Sequence, residues 1–428
     1  MENKKSLQET YDQYLAEYNQ VKSQNFSLDM SRGKPSAEQL DLSAGLLNIL
    51  KNDDCLIGDT EDTENSKNLI DCRNYGGIDG IPQMKTLFAD LMQVSPQEVL
   101  VGGNSSLTLM YDSLVLFALS SAANGKPKIL CPAPGYDRHF FMTAALGFDM
   151  ITIPMTAAGP DITAIRQHIT DADVVGIWCV PVYSNPQGLV YSDETIEQLA
   201  ALKPAAPNFK IFWDNAYITH SFDGTPPKTL NLLRTAQKYD NYDMPLMFTS
   251  FSKITFPGAG VAAMAASPNN LAKMRNNISL KTVGPDKINQ LRHTKFFPTV
   301  ADIYLHMKKH GEILSPKFDV VINALTENFG KPDNLTKAQK VRWLKPNGGY
   351  FVSVDVLSGC AKRTVELCSA AGLIITPAGA TFPHGKDPHD ENIRIAPTFP
   401  TIPELQKAMS LFCLAVNIAT LEKIMNDG

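Results

Sequence analysis

The stretch "PLMFTSFSKITFPGAGVAAMAAS" (Pro245–Ser267) holds two apolar runs around a polar loop. "PLMFTSFSK" reads as a strand ending on Lys253, "GVAAMAAS" as the next strand, with a Pro-Gly-Ala-Gly run between them. Neither run alternates polar with apolar residues, which suits a sheet covered on both faces. A lysine normally keeps its head in water, yet Lys253 stands among small hydroxyl and glycine residues. Such neighbours let a bulky group come close to the chain.

The same pattern extends back to about residue 96. "EVLVGGN", "PKILCPA", "FDMITIPM", "DVVGIWCVPV" and "FKIFWDNAY" read as strands. "SLTLMYDSLVLFALSSA", "DRHFFMTAALG", "DITAIRQHIT" and "SDETIEQLAALK" read as helices between them, the last with a Ser-Asp start suited to a helix N-terminus. Strand–helix–strand repetition predicts an α/β fold with a mostly parallel, doubly wound sheet flanked by helices. Ligands in such sheets bind beyond the carboxyl ends of the strands. After about Pro298 the pattern changes to long helical segments and then "VRWLKPNGGYFVSV" (341–354), which predicts a smaller α+β domain. The first residues, to about Gln24, space Leu7, Tyr11, Tyr14, Leu15 and Tyr18 as one helix face, broken by "SRGKPS" (31–36). The expected organisation is an N-terminal segment (1–45) packing with the small domain, a large domain (46–300) and the small domain (301–428).

Composition narrows the function classes. With 44% hydrophobic and 19% charged residues in 428, the chain is an ordinary globular protein. A net charge of -5 and no basic stripe argue against nucleic acid as the partner. The seven cysteines are odd in number and form no Cys-x-x-Cys, which predicts buried free thiols in a reducing compartment and no metal site. The polar N-terminus has no signal-peptide core, and the longest apolar candidate, "LVLFALSSAA" (114–123), is short of a membrane span. The expected setting is the cytoplasm, without membrane contact.

Four polar features fall just after strands: "GGNSS" (102–106), "YSNPQG" (183–188), "WDNAY" (213–217) and "SFSK" (250–253). Alone, the glycine loop is an ordinary helix start and Asp214 an ordinary turn residue. Together they form a chemistry. A helix N-terminus with hydroxyls cradles a phosphate, and a lysine amine condenses with an aldehyde as a Schiff base. Pyridoxal phosphate offers both groups, on a ring whose nitrogen wants a carboxylate partner. An asparagine and a tyrosine can hydrogen-bond the ring hydroxyl, and Tyr136 of "APGYDRH" can stack on the ring.

On these motifs the chain resembles the fold-type I pyridoxal-phosphate aminotransferases of class I/II, the group that includes aspartate aminotransferase. The likeness runs from "SRGKPS" to "NIRIAPTFP" and looks closest to the divergent bacterial aspartate aminotransferase branch. It implies a large domain with a seven-stranded type of sheet and an active site shared across a homodimer. It further implies that Lys253 is the Schiff-base lysine and Asp214 the pyridinium carboxylate. Asn185 and Tyr217 match the pair on the ring hydroxyl, and Tyr136 the stacking ring. Gly103, Asn104, Ser105, Ser106 and Ser250 fall at or beside phosphate-binding positions, and Tyr75 of "RNYGGIDG" matches the tyrosine lent to the neighbouring subunit's phosphate. Arg394 of "NIRIAPTF" matches the grip on the substrate α-carboxylate, a task suited to a guanidinium fork. Gly33 matches the substrate-facing glycine.

The resemblance also implies the reaction: ping-pong transfer of an amino group from an L-amino acid, aspartate as the best candidate, to an oxo acid, 2-oxoglutarate. Arg32 or Lys287 could meet a side-chain carboxylate. A broad-specificity or aromatic aminotransferase, a β-lyase and a non-enzymatic effector-sensing domain stay open on the same fold. One departure stands out: where many relatives carry a phosphate-pairing arginine about eight residues after the lysine, this chain has Val261. His139 and His220 are expected to pack or hydrogen-bond, and Trp213 to be strand core.

Overall fold

The computed structural model describes residues 2–24, 27–58, 69–121, 125–330 and 341–427. Its main sheet has eight strands, numbered in chain order: β1 (Val99–Val101), β2 (Lys128–Ala133), β3 (Asp149–Thr156), β4 (Gly159–Pro160), β5 (Val174–Cys179), β6 (Lys210–Asp214), β7 (Pro245–Ser250) and β8 (Ala262–Ala266). Their spatial order is β1-β8-β7-β6-β5-β2-β3-β4. The pairs from β7 through β6, β5 and β2 to β3 are parallel. β8 runs antiparallel to both β7 and β1, and the two-residue β4 folds back on β3.

Apolar runs without alternation form this sheet because both faces are covered. Leu130, Ile177 and Ile211 are wholly buried, and so are their neighbours Ile129, Trp178 and Phe212, which point the other way. Leu130, Ile177, Ile211 and Trp213 join a core with Ile196 and Leu199 of the helix Asp193–Ala200. Ile129, Trp178, Phe212 and Phe248 join a second core with Leu109 and Met110 of the helix Ser106–Ser121. The expectation fails at the rim. β3 is exposed at Asp149, Thr152, Pro154 and Thr156, so "FDMITIPM" is a half-covered strand.

A second sheet pairs Arg342–Trp343, Val352–Asp355 and Asn392–Ile395 antiparallel. The short strand Leu28–Met30 pairs parallel with Leu373–Ile375. The helix Glu2–Lys22 lies on the C-terminal helix Ile402–Asp427, with Tyr18 Oη donating to the Leu367 carbonyl at 2.8 Å. That C-terminal helix corrects the sequence reading of apolar runs. It is long and apolar enough to cross a membrane, yet Leu405, Met409, Phe412 and Val416 are fully buried in the core beneath the second sheet. Of "LVLFALSSAA", the side chains from Phe117 onward lie outside the described residues.

The helix Val300–Phe329 joins the two parts. Ile303 and Met307 pack with Phe251, Ile254 and Val261 beside the main sheet, whereas Phe318, Val321 and Leu325 belong to the other core.

Candidate active site

The carboxyl ends of β5, β6 and β7 open on one cavity of about 220 Å³. Asn185, Asp214, Tyr217, Ser250 and Lys253 line it from the ends of those strands and the loops after them, and Tyr136 from the loop after β2. Ser105 and Ser106 reach it from the N-terminus of the helix Ser106–Ser121. The four motifs therefore converge, as a parallel sheet with ligands at its carboxyl edge requires.

Asp214 is 4% exposed. Its Oδ2 meets His139 Nε2 at 3.0 Å, and its Oδ1 is buried without a hydrogen-bond partner among the described residues. His139 is itself held, stacked on Trp178 with ring centroids 4.1 Å apart and 5° between planes. Trp178 in turn donates to Thr143 Oγ1 at 2.9 Å. A buried carboxylate oxygen left open is costly unless a donor occupies it in the working state.

Lys253 Nζ lies 5.1 Å from the Tyr217 ring centroid and 5.9 Å from that of Tyr350. Burial lowers the Lys253 pKa from its ordinary value, Asp214 opposes that shift and Arg394 adds to it. The amine is thus easier to deprotonate than a surface lysine. Burial also pushes the phenols of Tyr217 and Tyr136 upward, so both stay protonated as donors.

At the other end of the cavity the groups are small and polar. Ser250 Oγ donates to Ser252 Oγ at 3.1 Å, and Ser252 Oγ to the Asn104 carbonyl at 3.0 Å. Gly103 and Asn104 are exposed, and Ser105 Oγ accepts the Leu107 N–H at 3.3 Å. Gly260 is the glycine that permits this closeness: a Cβ there would stand 3.1 Å from Ser252 N and 3.2 Å from the Asn104 carbonyl oxygen. Gly258, by contrast, has open space around it, so of the two glycines in the Pro-Gly-Ala-Gly run only Gly260 stands at a close approach. Val261 is 2% exposed in the apolar core with Phe251, Ile254 and Ala263.

Arg394 is 5% exposed on the strand Asn392–Ile395. Its Nε donates to Thr376 Oγ1 at 3.2 Å, and its Nη1 to Asn185 Oδ1 at 3.2 Å and Asp137 Oδ1 at 3.3 Å. The guanidinium lies 4.8 Å from the Phe351 ring centroid. Gly33 abuts the same ring, with a Cβ position 2.8 Å from Phe351 Cζ. Arg32 is exposed. Lys287 is committed elsewhere: it is 5% exposed and donates to the carbonyls of Asn74 and Gly76, each at 2.7 Å. Tyr75, between those carbonyls, is 85% exposed and outside the cavity of its own chain.

Three contributors carry no sequence signal for this site. Asp137 reads only as a helix-start residue, although it is the anion on Arg394. Gln39 stands behind Lys253 with no motif to mark it, and Tyr350, although it sits in "VRWLKPNGGYFVSV", shows no sign there of facing the lysine. His139, expected to pack or hydrogen-bond, does both.

Pyridoxal phosphate fits these residues: the open Asp214 oxygen suits a ring N–H, the lysine an aldehyde, and the serine-lined helix N-terminus a phosphate. The class that fold and cavity define is the pyridoxal-phosphate-dependent aminotransferase. The chain belongs to the family described as "Aspartate amino-transferase", whose profile matches residues 3–428. A Mycolicibacterium smegmatis protein named only as a candidate aminotransferase is 41% identical, over 96% of this chain and 95% of its own. An aspartate aminotransferase of Corynebacterium glutamicum is 36% identical, over 96% and 93%. The crystal structure of an aspartate transaminase from C. glutamicum superposes with a TM-score of 0.89 at 35% identity, covering 98% of this chain and 97% of that one.

Proposed function

We propose that the chain transfers the amino group of aspartate to 2-oxoglutarate in a ping-pong cycle, with Lys253 as the residue that carries the cofactor. The observation that carries this reading is the buried, unpartnered Asp214 Oδ1 in the same cavity as a lysine whose pKa is lowered. When bound, pyridoxal phosphate supplies an electron sink for the substrate's α-carbon. Asp214, oriented by His139, holds the ring nitrogen protonated. Tyr217 and Asn185 would hold the ring hydroxyl as hydrogen-bond donors, and Tyr136 would supply an aromatic wall for the ring. Gly103, Asn104, Ser105, Ser106 and Ser250 hold the phosphate through N–H and hydroxyl groups.

Arg394 fixes the α-carboxylate, and Gly33 closes on the substrate. The Lys253 amine would move the proton at Cα as general base and then acid. Its lowered pKa favours the free amine this needs. Aspartate is favoured by the 36% identity to the C. glutamicum aspartate aminotransferase. Arg32 is the cation this reading leaves for a side-chain carboxylate, because Lys287 is occupied. This reading takes the working unit as a cytoplasmic homodimer in which Tyr75 would serve the partner's phosphate; its support is that Tyr75 is exposed beside a hollow lined by Val283, itself 61% exposed. The chain divides into an N-terminal segment (1–45), a large domain (46–300) and a small one (301–428).

Lys253→Ala should abolish turnover and the visible absorbance that borohydride bleaches in the loaded wild type. Substantial residual transamination by that variant sinks the assignment. A panel of amino donors paired with 2-oxoglutarate, read as oxo acid formed, tests the substrate; a preference for aromatic donors over aspartate would reassign it.

A further inference from the structure

Behind Lys253 lies a buried polar network that the catalytic reading does not use. Gln39, wholly buried on the short helix Ala37–Asp41, accepts the Ser36 N–H at 3.0 Å through Oε1. That bond fixes the amide's orientation, so Nε2 is the donor on its other side. Nε2 lies 3.0 Å from Tyr350 Oη and 3.0 Å from His310 Nδ1. Tyr350 Oη donates its own proton to the Lys253 carbonyl, at 3.5 Å.

The second branch follows from the tautomers. His310 Nδ1 accepts, so its proton sits on Nε2, facing the Ile254 carbonyl. His306 Nε2 donates to that same carbonyl at 2.9 Å. The two Nε2 atoms stand 3.2 Å apart because two N–H groups converge on one oxygen. Ser43, next to the Gln39 helix, completes the cluster at 3.3 Å from His306 Nε2. The consecutive carbonyls of Lys253 and Ile254 are therefore both held from one side, and Gln39 feeds both branches.

Gln39 also belongs to the segment that carries Gly33. A Cβ on Gly33 would lie 3.1 Å from Tyr350 Cδ1, so the Gly33 loop presses on the ring whose hydroxyl reaches the Lys253 peptide. We propose that Gln39 is a positioning residue that keys the N-terminal segment to the Lys253 turn, through Tyr350 on one branch and His310 with His306 on the other. Movement of the Gly33 segment is thereby transmitted to the backbone that aims the lysine. The inference rests on Lys253 being the cofactor-bearing lysine.

The test compares Gln39→Leu, Tyr350→Phe and the double variant with wild type, each loaded with pyridoxal phosphate. Two quantities are read: the midpoint of the pH titration of visible absorbance, and kcat against KM for both substrates. Both single variants should shift the midpoint in the same direction. In both, kcat should fall by about 10- to 100-fold, the scale of a misaimed group, with KM changed little. The double variant should lose no more than the worse single, because the two residues act along one path. Folded variants with wild-type midpoint and kcat overturn the proposal, as do losses that multiply. If Gln39→Leu does not fold, the isosteric Tyr350→Phe decides alone by the same midpoint. Transamination by Lys253→Ala would remove the parent reading instead, so the two failures are distinct.

Discussion

Burying Asp214 takes a carboxylate out of water, and only one of its oxygens recovers a partner, His139 Nε2 at 3.0 Å. An open anionic oxygen in such a place is tolerable when a bound cation or N–H donor completes it. Asp214→Asn tests this at constant shape. It should fold and bind cofactor, yet lose turnover by about 100-fold or more, the scale of deleting one preorganised electrostatic partner. Steady-state kinetics within about two-fold of wild type would contradict the role, since a 100-fold effect is the one at stake. Asp214 and Lys253 are legible in the chain itself because each ends an apolar run and is followed by a loop. His139 is legible only as a neighbour of Tyr136, since its bond to Asp214 joins positions 75 apart in sequence.

At the scale of elements, two glycines set how closely segments approach. Gly311 lets the helix Val300–Phe329 lie against the loop after Tyr217, since a Cβ there would fall 2.0 Å from the Phe222 carbonyl oxygen. Gly311→Ala would gain about 1 kcal/mol of helix propensity. The clash with backbone costs more, ~1–3 kcal/mol, so urea denaturation should show a net loss; a stabilised variant would refute the packing argument. Gly260→Ala meets backbone atoms of Ser252 and Asn104 at 3.1–3.2 Å, so the phosphate-side loop has to shift by a few tenths of an ångström while the core behind it is untouched. It should leave stability nearly unchanged and weaken cofactor binding, measured by equilibrium dialysis. Equal binding with reduced stability would mean that Gly260 serves the core instead. The strands themselves are readable from their apolar runs, but the reversal of β8 is not, because period and composition carry no direction.

For the whole molecule, buried histidines link stability to pH. His220, His293 and His306 are held below their ordinary value by burial, and His310 is lowered to about 3. A depressed folded-state pKa means that the unfolded chain binds protons first as pH falls. Their contribution is complete above about 6.5 and is lost between there and the folded-state values, at up to about 1.4 kcal/mol per pH unit for each histidine. Burial pushes the Glu98 carboxyl up, but its hydrogen bonds with Arg234, Ser95 and Tyr242 together outweigh that and lower it to about 2, which adds a second loss below about 4.5. The melting temperature should therefore drop already between about pH 7 and 5, before carboxylates titrate. A flat profile over that interval would show that these histidines are not buried neutral in solution.

By itself the sequence determined the α/β layering and the polar loops at strand ends that hold Lys253, Asp214 and Asn185, because each depends on local periodicity or on a short motif; Arg394 stood out only through the family resemblance. Tertiary structure alone decided which groups meet. Asp137 sits on Arg394 from a position 257 residues away. Tyr350 and His306 reach two adjacent carbonyls from distant segments, and Gln39, from a third, joins them through Tyr350 and His310. Val261 belongs to the core, and Lys287 clamps the distant Asn74–Gly76 loop. Contacts of that kind arise from packing between elements, which no local pattern in the chain encodes.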